Sequence, residues 1–344
     1  MRYILLVIMA FSAANCFAES IFSIMNHEIK SNSSRSWMQT VADTQLPITV
    51  IHGQYPGPVL TLTAGIHGDE FPAIFALQKL RQVIHPDRLH GTLVIVHLAN
   101  LEGFHGRRVA LSPVDERNLN RIFPGRVDGT LTEQVAYFMT HQIISKTDYL
   151  IDIHSGSWNE TLLPHVYSPV MNKHALDKKT LAFAKSLGVP HIVLYYERPH
   201  DPEHSISYPN TAQTRGKPAL TLEVGQLGQS EEQDIEQIYQ ASMRAMRYLD
   251  MYDLGQQDNP DAISSHVALY RKLVDVQSPF TGIFRPYTQV GEQVKQGQAI
   301  GQVSDYFGNV LTTLYAPVTG TVLMQKQTPP IRKGESTTDI AITH

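Results

Sequence analysis

The 344-residue sequence predicts an α/β fold, a mixed sheet flanked by helices, followed by a small all-β C-terminal domain. Three observations carry that expectation. Residues 46–98 run strand, helix, strand. Residues 92–98, Thr-Leu-Val-Ile-Val-His-Leu, form a continuous apolar run of the kind found in strands covered on both faces. Beyond residue 266 only short β-rich segments follow.

At the amino terminus Arg2 gives a short positive region and residues 4–11 an apolar segment too short to span a bilayer. Cys16-Phe17-Ala18 then fits the small-x-small pattern of a signal-peptidase site, so residues 1–18 are expected to be removed and the rest exported, periplasmic or secreted. Two competing readings are a lipoprotein signal, which Asn15 before the cysteine argues against, and an uncleaved anchor, which the short apolar run argues against. Cys16 is the only cysteine. The mature chain would therefore hold no disulfide, thiol nucleophile or zinc thiolate. With the leader gone, about 326 residues remain, more than one core usually serves. Hydrophobic residues make up 42% and charged residues 17%, with a net charge of −4 and no basic run. Nucleic acid is not an expected partner, nor is a membrane after cleavage, and homo-oligomerisation is left open.

Residues 19–45 are polar and read as a lead-in. Residues 46–52 and 58–63 are expected strands about a turn at 53–57. Residues 71–84 carry Ile74, Leu77, Leu80 and Ile84 at helical spacing, and strand 92–98 follows. Residues 100–129 form a long polar loop, a length usually tied to function. Helix 132–144 and strand 149–154 come next, then helix 176–187 and a short strand 192–196. Apolar strand 218–225 and helix 231–252 close the first domain, residues 19–255 in the mature chain. A polar linker is expected at 256–265.

Three of these strands end on residues that can bind a metal or move a proton. Ala64-Gly65-Ile66-His67-Gly68-Asp69-Glu70 puts His67 at a strand end and Glu70 three residues on, in the first turn of a helix. His154 ends the strand 149–154, and Glu223 ends the strand 218–225. The carboxyl ends of strands are where open α/β sheets bind ligands. Two histidines and one carboxylate are a common set for catalytic zinc, leaving one position for a water whose pKa falls to about 7. His67, Glu70 and His154 are therefore the expected ligands of one Zn2+ per chain. Glu223 is the expected general base and acid, and Arg107 or Arg108 the expected guanidinium for the oxyanion, with the choice between them open.

Gly-Ile-His67-Gly-Asp-Glu70, Asn118-Leu-Asn120-Arg121-Ile-Phe-Pro124-Gly125, Asp152-Ile-His154-Ser-Gly and Leu222-Glu223-Val-Gly, in that order, resemble the succinylglutamate desuccinylase/aspartoacylase family, a branch of the metallocarboxypeptidase-like fold. The resemblance covers roughly residues 46–344. It implies a mononuclear zinc hydrolase that cleaves the amide of an N-acyl amino acid or a related compound, with Asn120 and Arg121 as the pair that holds a substrate carboxylate. A guanidinium fork suits that group. Asp115 and Asp152 are alternative ion-pair partners for Arg121, and Asp152 is placed to orient His154. One departure is visible, Asp115-Glu116 where many relatives have Asp-Gly. Arg198, Tyr208 and Arg215 are further candidates for the pocket wall. Two other readings stand beside the deacylase: a zinc carboxypeptidase acting on peptides, cell-wall peptides included, and a binding protein that keeps the fold without catalysis.

Residues 266–344 read as the C-terminal β-rich unit. Ser-Pro-Phe-Thr-Gly282-Ile and Ala-Pro-Val-Thr-Gly320-Thr echo one another across a central Val290-Gly-Glu segment. The pattern resembles lipoyl and biotinyl carrier domains. The turn that would carry their modified lysine, Asp305-Tyr-Phe-Gly-Asn309, has none, so the unit is expected to be a non-carrier appendage.

Overall fold

The protein was analysed as a computed structural model that describes residues 20–252 and 267–343. The expected leader, residues 1–18, and the expected linker, residues 256–265, lie outside the described residues.

The described part of the lead-in, residues 20–45, is largely β structure instead. β1 (Ile21–Ile24) and β2 (His27–Lys30) form a hairpin. Its two turn residues, Met25 and Asn26, have φ of 52° and 60°, as a two-residue turn matched to strand twist requires. β3 (Ser33–Val41) pairs over its whole length with β4 (Thr44–His52). Because β3 is an edge of the large sheet, it can be rich in serine and threonine, and that composition concealed it.

β5 (Tyr55–Ala64), α1 (Pro72–Val83) and β6 (His90–Val96) form a parallel strand, helix, strand unit. α2 (Leu101–His105) is a short helix inside the expected loop. α3 (Leu131–Phe138) starts from a capping box in which Thr130 N donates to Glu133. β7 (Tyr149–His154) pairs parallel with β5. Two strands that the sequence reading did not anticipate follow, β8 (Glu160–Leu162) and β9 (His165–Pro169). α4 (His174–Ser186), β10 (His191–Tyr195), α5 (Tyr208–Thr214), β11 (Ala219–Glu223) and α6 (Glu232–Tyr248) complete this part.

β12 (Ala268–Tyr270) joins the large sheet, whose order is β12-β10-β9-β11-β7-β5-β6-β4-β3. β5, β6, β7 and β11 are parallel to one another, whereas β4 and β9 run against their neighbours β6 and β11. The sheet is mixed and covered on both faces. Leu60, Leu62, Leu93 and Ile95 pack with residues of α1, α4 and α6. Val94 and Val96, the alternating residues of β6, pack with residues of α3 and α5. Burial of successive residues on opposite faces explains the unbroken apolar run at 92–98.

The remaining strands are β13 (Lys272–Gln277), β14 (Gly282–Pro286), β15 (Gln293–Val294), β16 (Ala299–Ser304), β17 (Val310–Tyr315), β18 (Gly320–Lys326), β19 (Pro330–Ile331) and β20 (Ser336–Ile342). They make two small sheets, β13-β20-β18-β15 and β17-β16-β14-β19, around Phe284, Ile300, Val303, Val322 and Ile340. The echoed glycines begin β14 and β18. A Cβ on Gly282 would sit 2.3 Å from Ser304 O, and one on Gly320 2.4 Å from Ala341 O. Each therefore permits a close approach of neighbouring backbone.

Two features tie this unit to the large sheet. Its first strand, β12, is an edge strand of that sheet, parallel to β10. In the other direction β8 pairs with β18, Glu160 opposite Lys326 and Leu162 opposite Met324. Val193, Tyr270, Leu323 and Ala341 share a core across the junction.

Candidate active site

Three neighbouring parallel strands deliver the expected residues to one place. β5 ends at Ala64, and Gly65 turns the chain at φ +66°, with a Cβ there only 2.3 Å from Leu98 Cδ1. Glycine alone meets both demands. The turn leads into His67 and Glu70 just before α1, whose first residue is Pro72. His154 is the last residue of β7, and Glu223, the last of β11, is its register partner.

His67 Nδ1 lies 2.6 Å from Glu70 Oε1, and His154 Nδ1 lies 2.7 Å from Glu70 Oε2. All three side chains offer a ligand atom within 4.8 Å of one another. The opposite face of each ring is already engaged. His154 Nε2 donates to Asp152 Oδ2 at 2.8 Å, and His67 Nε2 lies 3.3 Å from Asn118 Oδ1. Such outer partners fix which ring nitrogen presents its lone pair.

The donor set fits a divalent cation. With both ring nitrogens facing carboxylates, His154 needs a proton on each. Burial works to lower its pKa, but Asp152 and Glu70 together hold it well above the ordinary value. Burial likewise raises Glu70, yet the two histidines bring it down to about 2. A cation between the Nδ1 atoms and Glu70 would take the place of those protons, leaving neutral imidazoles and an ionised carboxylate.

The three residues line a cavity of about 800 Å³ that also holds Glu223, Asn120 and Arg121. Burial, opposed by His154 and reinforced by Glu70, pushes the Glu223 carboxyl up to about 8. Asn120 is 7% exposed. Its Oδ1 accepts from Tyr208 N at 3.0 Å, and its Nδ2 lies 3.3 Å from His154 Nε2. Its amide oxygen thus ties the site to the start of α5. Arg121 Nη1 donates to Asn120 O. Neither alternative partner of Arg121 holds it: Asp115 accepts from Thr132 N and Oγ1, and Asp152 accepts from His154. Desolvation, then the charge of Arg198, lowers the Arg121 guanidinium from its ordinary value.

Arg107 and Arg108 are not brought to the cavity. They follow α2 in an exposed turn, Arg107 at φ +52°, and from their segment Ala110 reaches the lining. Arg198 and Arg271 line the cavity instead, and Arg198 rests over the Tyr195 ring at 4.7 Å. Tyr208 is buried in the core beside Phe123. Arg215 Nη1 donates to Pro202 O and Thr211 O, which fastens α5 to the preceding turn. Glu116 has φ +54°. That left-handed conformation is the one glycine adopts without strain, so a glycine at this position would suit the turn.

Sequence reasoning also missed Asn118 as a partner of His67, although it stands two residues before Asn120 in a quoted motif. It missed Tyr167 on β9. It missed the contribution of residues 271–339, among them Asp275, Met324, Lys326 and Asp339, which no local pattern marks. Ser155 lines the cavity at 4% exposed, and among the described residues its hydroxyl has no hydrogen-bond partner.

A model of the succinylglutamate desuccinylase/aspartoacylase catalytic domain matches residues 56–249, from β5 to the end of α6. The chain belongs to this family. Its similarity extends to the N-alpha-acetyl-L-2,4-diaminobutyric acid deacetylase of Halomonas elongata, 29% identical over 276 residues, which are 80% of this chain and 77% of that protein. Among solved structures of family members, the product-bound ectoine utilization protein EutE (DoeB) of Ruegeria pomeroyi is 22% identical and superposes with a TM-score of 0.80 over 94% of this chain and 99% of that one. A succinylglutamate desuccinylase/aspartoacylase of Rhodobacter sphaeroides gives 0.79 at 22% identity, over 90% and 95%. Both extend beyond the catalytic domain and share the mixed α/β fold with its C-terminal β strands.

Proposed function

We propose that the chain is a zinc-dependent hydrolase that cleaves the amide of an N-acyl amino acid. The observation that carries this reading is the meeting of His67, Glu70 and His154 with the carboxyl of Glu223 at the ends of three adjacent strands, in a cavity that also holds Arg121. Membership of the family and the deacetylase relative support it. His67 Nδ1, a Glu70 oxygen and His154 Nδ1 would hold the ion, and zinc so bound supplies Lewis acidity toward a carbonyl oxygen and makes water acidic near neutrality.

The chain's own residues supply the rest. Asp152 and Asn118 keep the two imidazoles oriented. Glu223, ionised, takes a proton from the attacking water and returns it to the leaving nitrogen, which departs as an amine. Arg121 clasps the substrate carboxylate and fixes the amide over the site. A panel of N-acetyl, N-succinyl and other N-acyl amino acids, with dipeptides as the contrast, tests this reading. Cleavage of at least one acyl amino acid is expected, with Arg121→Ala raising KM for it about 10- to 100-fold, the usual effect of losing one charge-assisted contact. Cleavage of dipeptides alone would favour a carboxypeptidase.

We also propose that the chain is exported. The support is Arg2, the apolar run at 4–11 and Cys16-Phe17-Ala18. Mass spectrometry of protein from the producing cell should find an amino terminus near Glu19. An intact Met1 or a lipid-modified Cys16 would refute it.

A further inference from the structure

Two hydroxyl groups meet the cavity from neighbouring strands. Tyr167 of β9 and Thr221 of β11 are directly opposite in the antiparallel register, so their side chains share a face of the sheet. Glu223 follows Thr221 by two residues and shares that face too, and all three line the cavity. The Tyr167 ring packs edge-on against His165, at 4.7 Å and 81°, and against Tyr195, at 5.8 Å and 73°. Tyr167 is also close to both fixed points of the proposed substrate, since the charge of Glu223 acts on its phenol and the phenol acts on Arg121.

Among the described residues neither hydroxyl has an oxygen or nitrogen partner. The Tyr167 hydroxyl donates to Met324 Sδ at 3.4 Å, and a thioether is a weak acceptor. The Thr221 hydroxyl, on a half-buried side chain, has no hydrogen-bond partner among the described residues. Burial, then Glu223, Asp339 and Glu160, hold the phenol well above its usual range, so it stays protonated and able to donate. The adjoining wall carries both signs of charge, Glu160, Asp275 and Asp339 standing with Arg271, Lys272 and Lys326. A charged side chain therefore meets repulsion as well as attraction there, whereas a neutral one that accepts a hydrogen bond satisfies the phenol without either.

We propose that Tyr167 and Thr221 are the specificity-determining residues for the amino-acid side chain of the substrate, which is short, uncharged and hydrogen-bonding, of the carboxamide class. The proposal rests on the amide-hydrolase reading and deepens it. In an Nα-acyl amino acid a single carbon carries the amide nitrogen, the carboxylate and the side chain. With the amide beside Glu223 and the carboxylate on Arg121, a residue close to both faces the third substituent. A carboxamide oxygen there accepts from the Tyr167 phenol, and its NH2 donates to the Thr221 hydroxyl, so both protein groups gain the partner they lack. An apolar side chain of the same shape leaves the two hydroxyls unsatisfied, and an ammonium accepts nothing from the phenol.

Matched pairs test it: the Nα-acetyl derivatives of asparagine and glutamine, each against its apolar counterpart of similar shape, leucine or methionine, with the aspartate and 2,4-diaminobutyrate derivatives as charged contrasts. At one length or the other the parent should prefer the carboxamide over the apolar counterpart in kcat/KM by about 10-fold, in keeping with a hydrogen bond gained and a buried donor otherwise left unsatisfied. Tyr167→Phe keeps the ring and removes the hydroxyl alone, and should bring that ratio close to one. Thr221→Val, of nearly the same shape, should lower it. Because the ratio is taken within each variant, the fraction of protein that is folded cancels, and a purely structural role for either residue would leave it unchanged. A ratio unaltered in Tyr167→Phe would overturn the proposal, as would a higher kcat/KM for an apolar or a charged derivative than for both carboxamides. Should the parent cleave none of these compounds, the hydrolase reading fails for them, and the subsite is read by calorimetry with Nα-acetylasparagine and Nα-acetylglutamine. Weaker binding of either to Tyr167→Phe than to the parent would then sustain the subsite, and equal binding or none would refute it.

Discussion

Glu223→Gln should lower kcat by about 10² to 10⁴ while leaving the metal site loaded and KM little changed, since a positioned acid and base contributes about that much and the amide cannot carry a proton between water and leaving nitrogen. The shape of the side chain is kept, so the cavity should not collapse. Burial holds the Glu223 carboxyl up at about 8 with no cation beside it, so near neutrality it is mostly protonated there, and a bound divalent cation would favour the ionised form that the mechanism needs. The glutamine variant is accordingly expected to be no less stable than the parent. Stopped turnover with retained metal and retained substrate affinity would separate proton transfer from binding. A variant as active as the parent would end the proposed mechanism and favour the binding-protein reading.

The residues that carry this mechanism were legible for a physical reason. Strands 149–154 and 219–223 are largely apolar, Asp152 and Thr221 aside, so His154 and Glu223 at their ends stand out against a background that burial on both sheet faces enforces. His67 and Glu70 were legible because a glycine turn separates a strand from a proline-started helix. The guanidiniums were harder. Arg107 and Arg108 lie in a loop where spacing gives no direction, and a left-handed turn points them to solvent. Asn120 was found at the site: its Oδ1 accepts from Tyr208 N, while its Nδ2 faces a His154 nitrogen that donates to Asp152 and so is not taken up as a donor there.

Other parts were concealed by their place in the sheet. β3 is an edge strand and shows no apolar alternation strong enough to mark it. β8 is three residues long, and its meaning lies in pairing with β18, over 150 positions away. Because that pairing brings Lys326 and Asp339 to the cavity, the C-terminal unit read as an appendage in the sequence forms part of the cavity wall in the structure.

The second large effect concerns the ligand set. In His154→Ala one of three ligand side chains is lost, and Glu70 keeps only His67 as its partner. Metal affinity should fall by more than the roughly 10- to 100-fold that removing an outer partner such as Asp152 would cost, and hydrolysis should be lost with it. His67→Ala should act alike. Elemental analysis of the purified chain, after supply with zinc and removal of the unbound excess, tests the central claim most directly. One zinc per chain is expected in the parent and little in His154→Ala. A parent that retains no zinc, or a His154→Ala protein that retains a full equivalent, would contradict it.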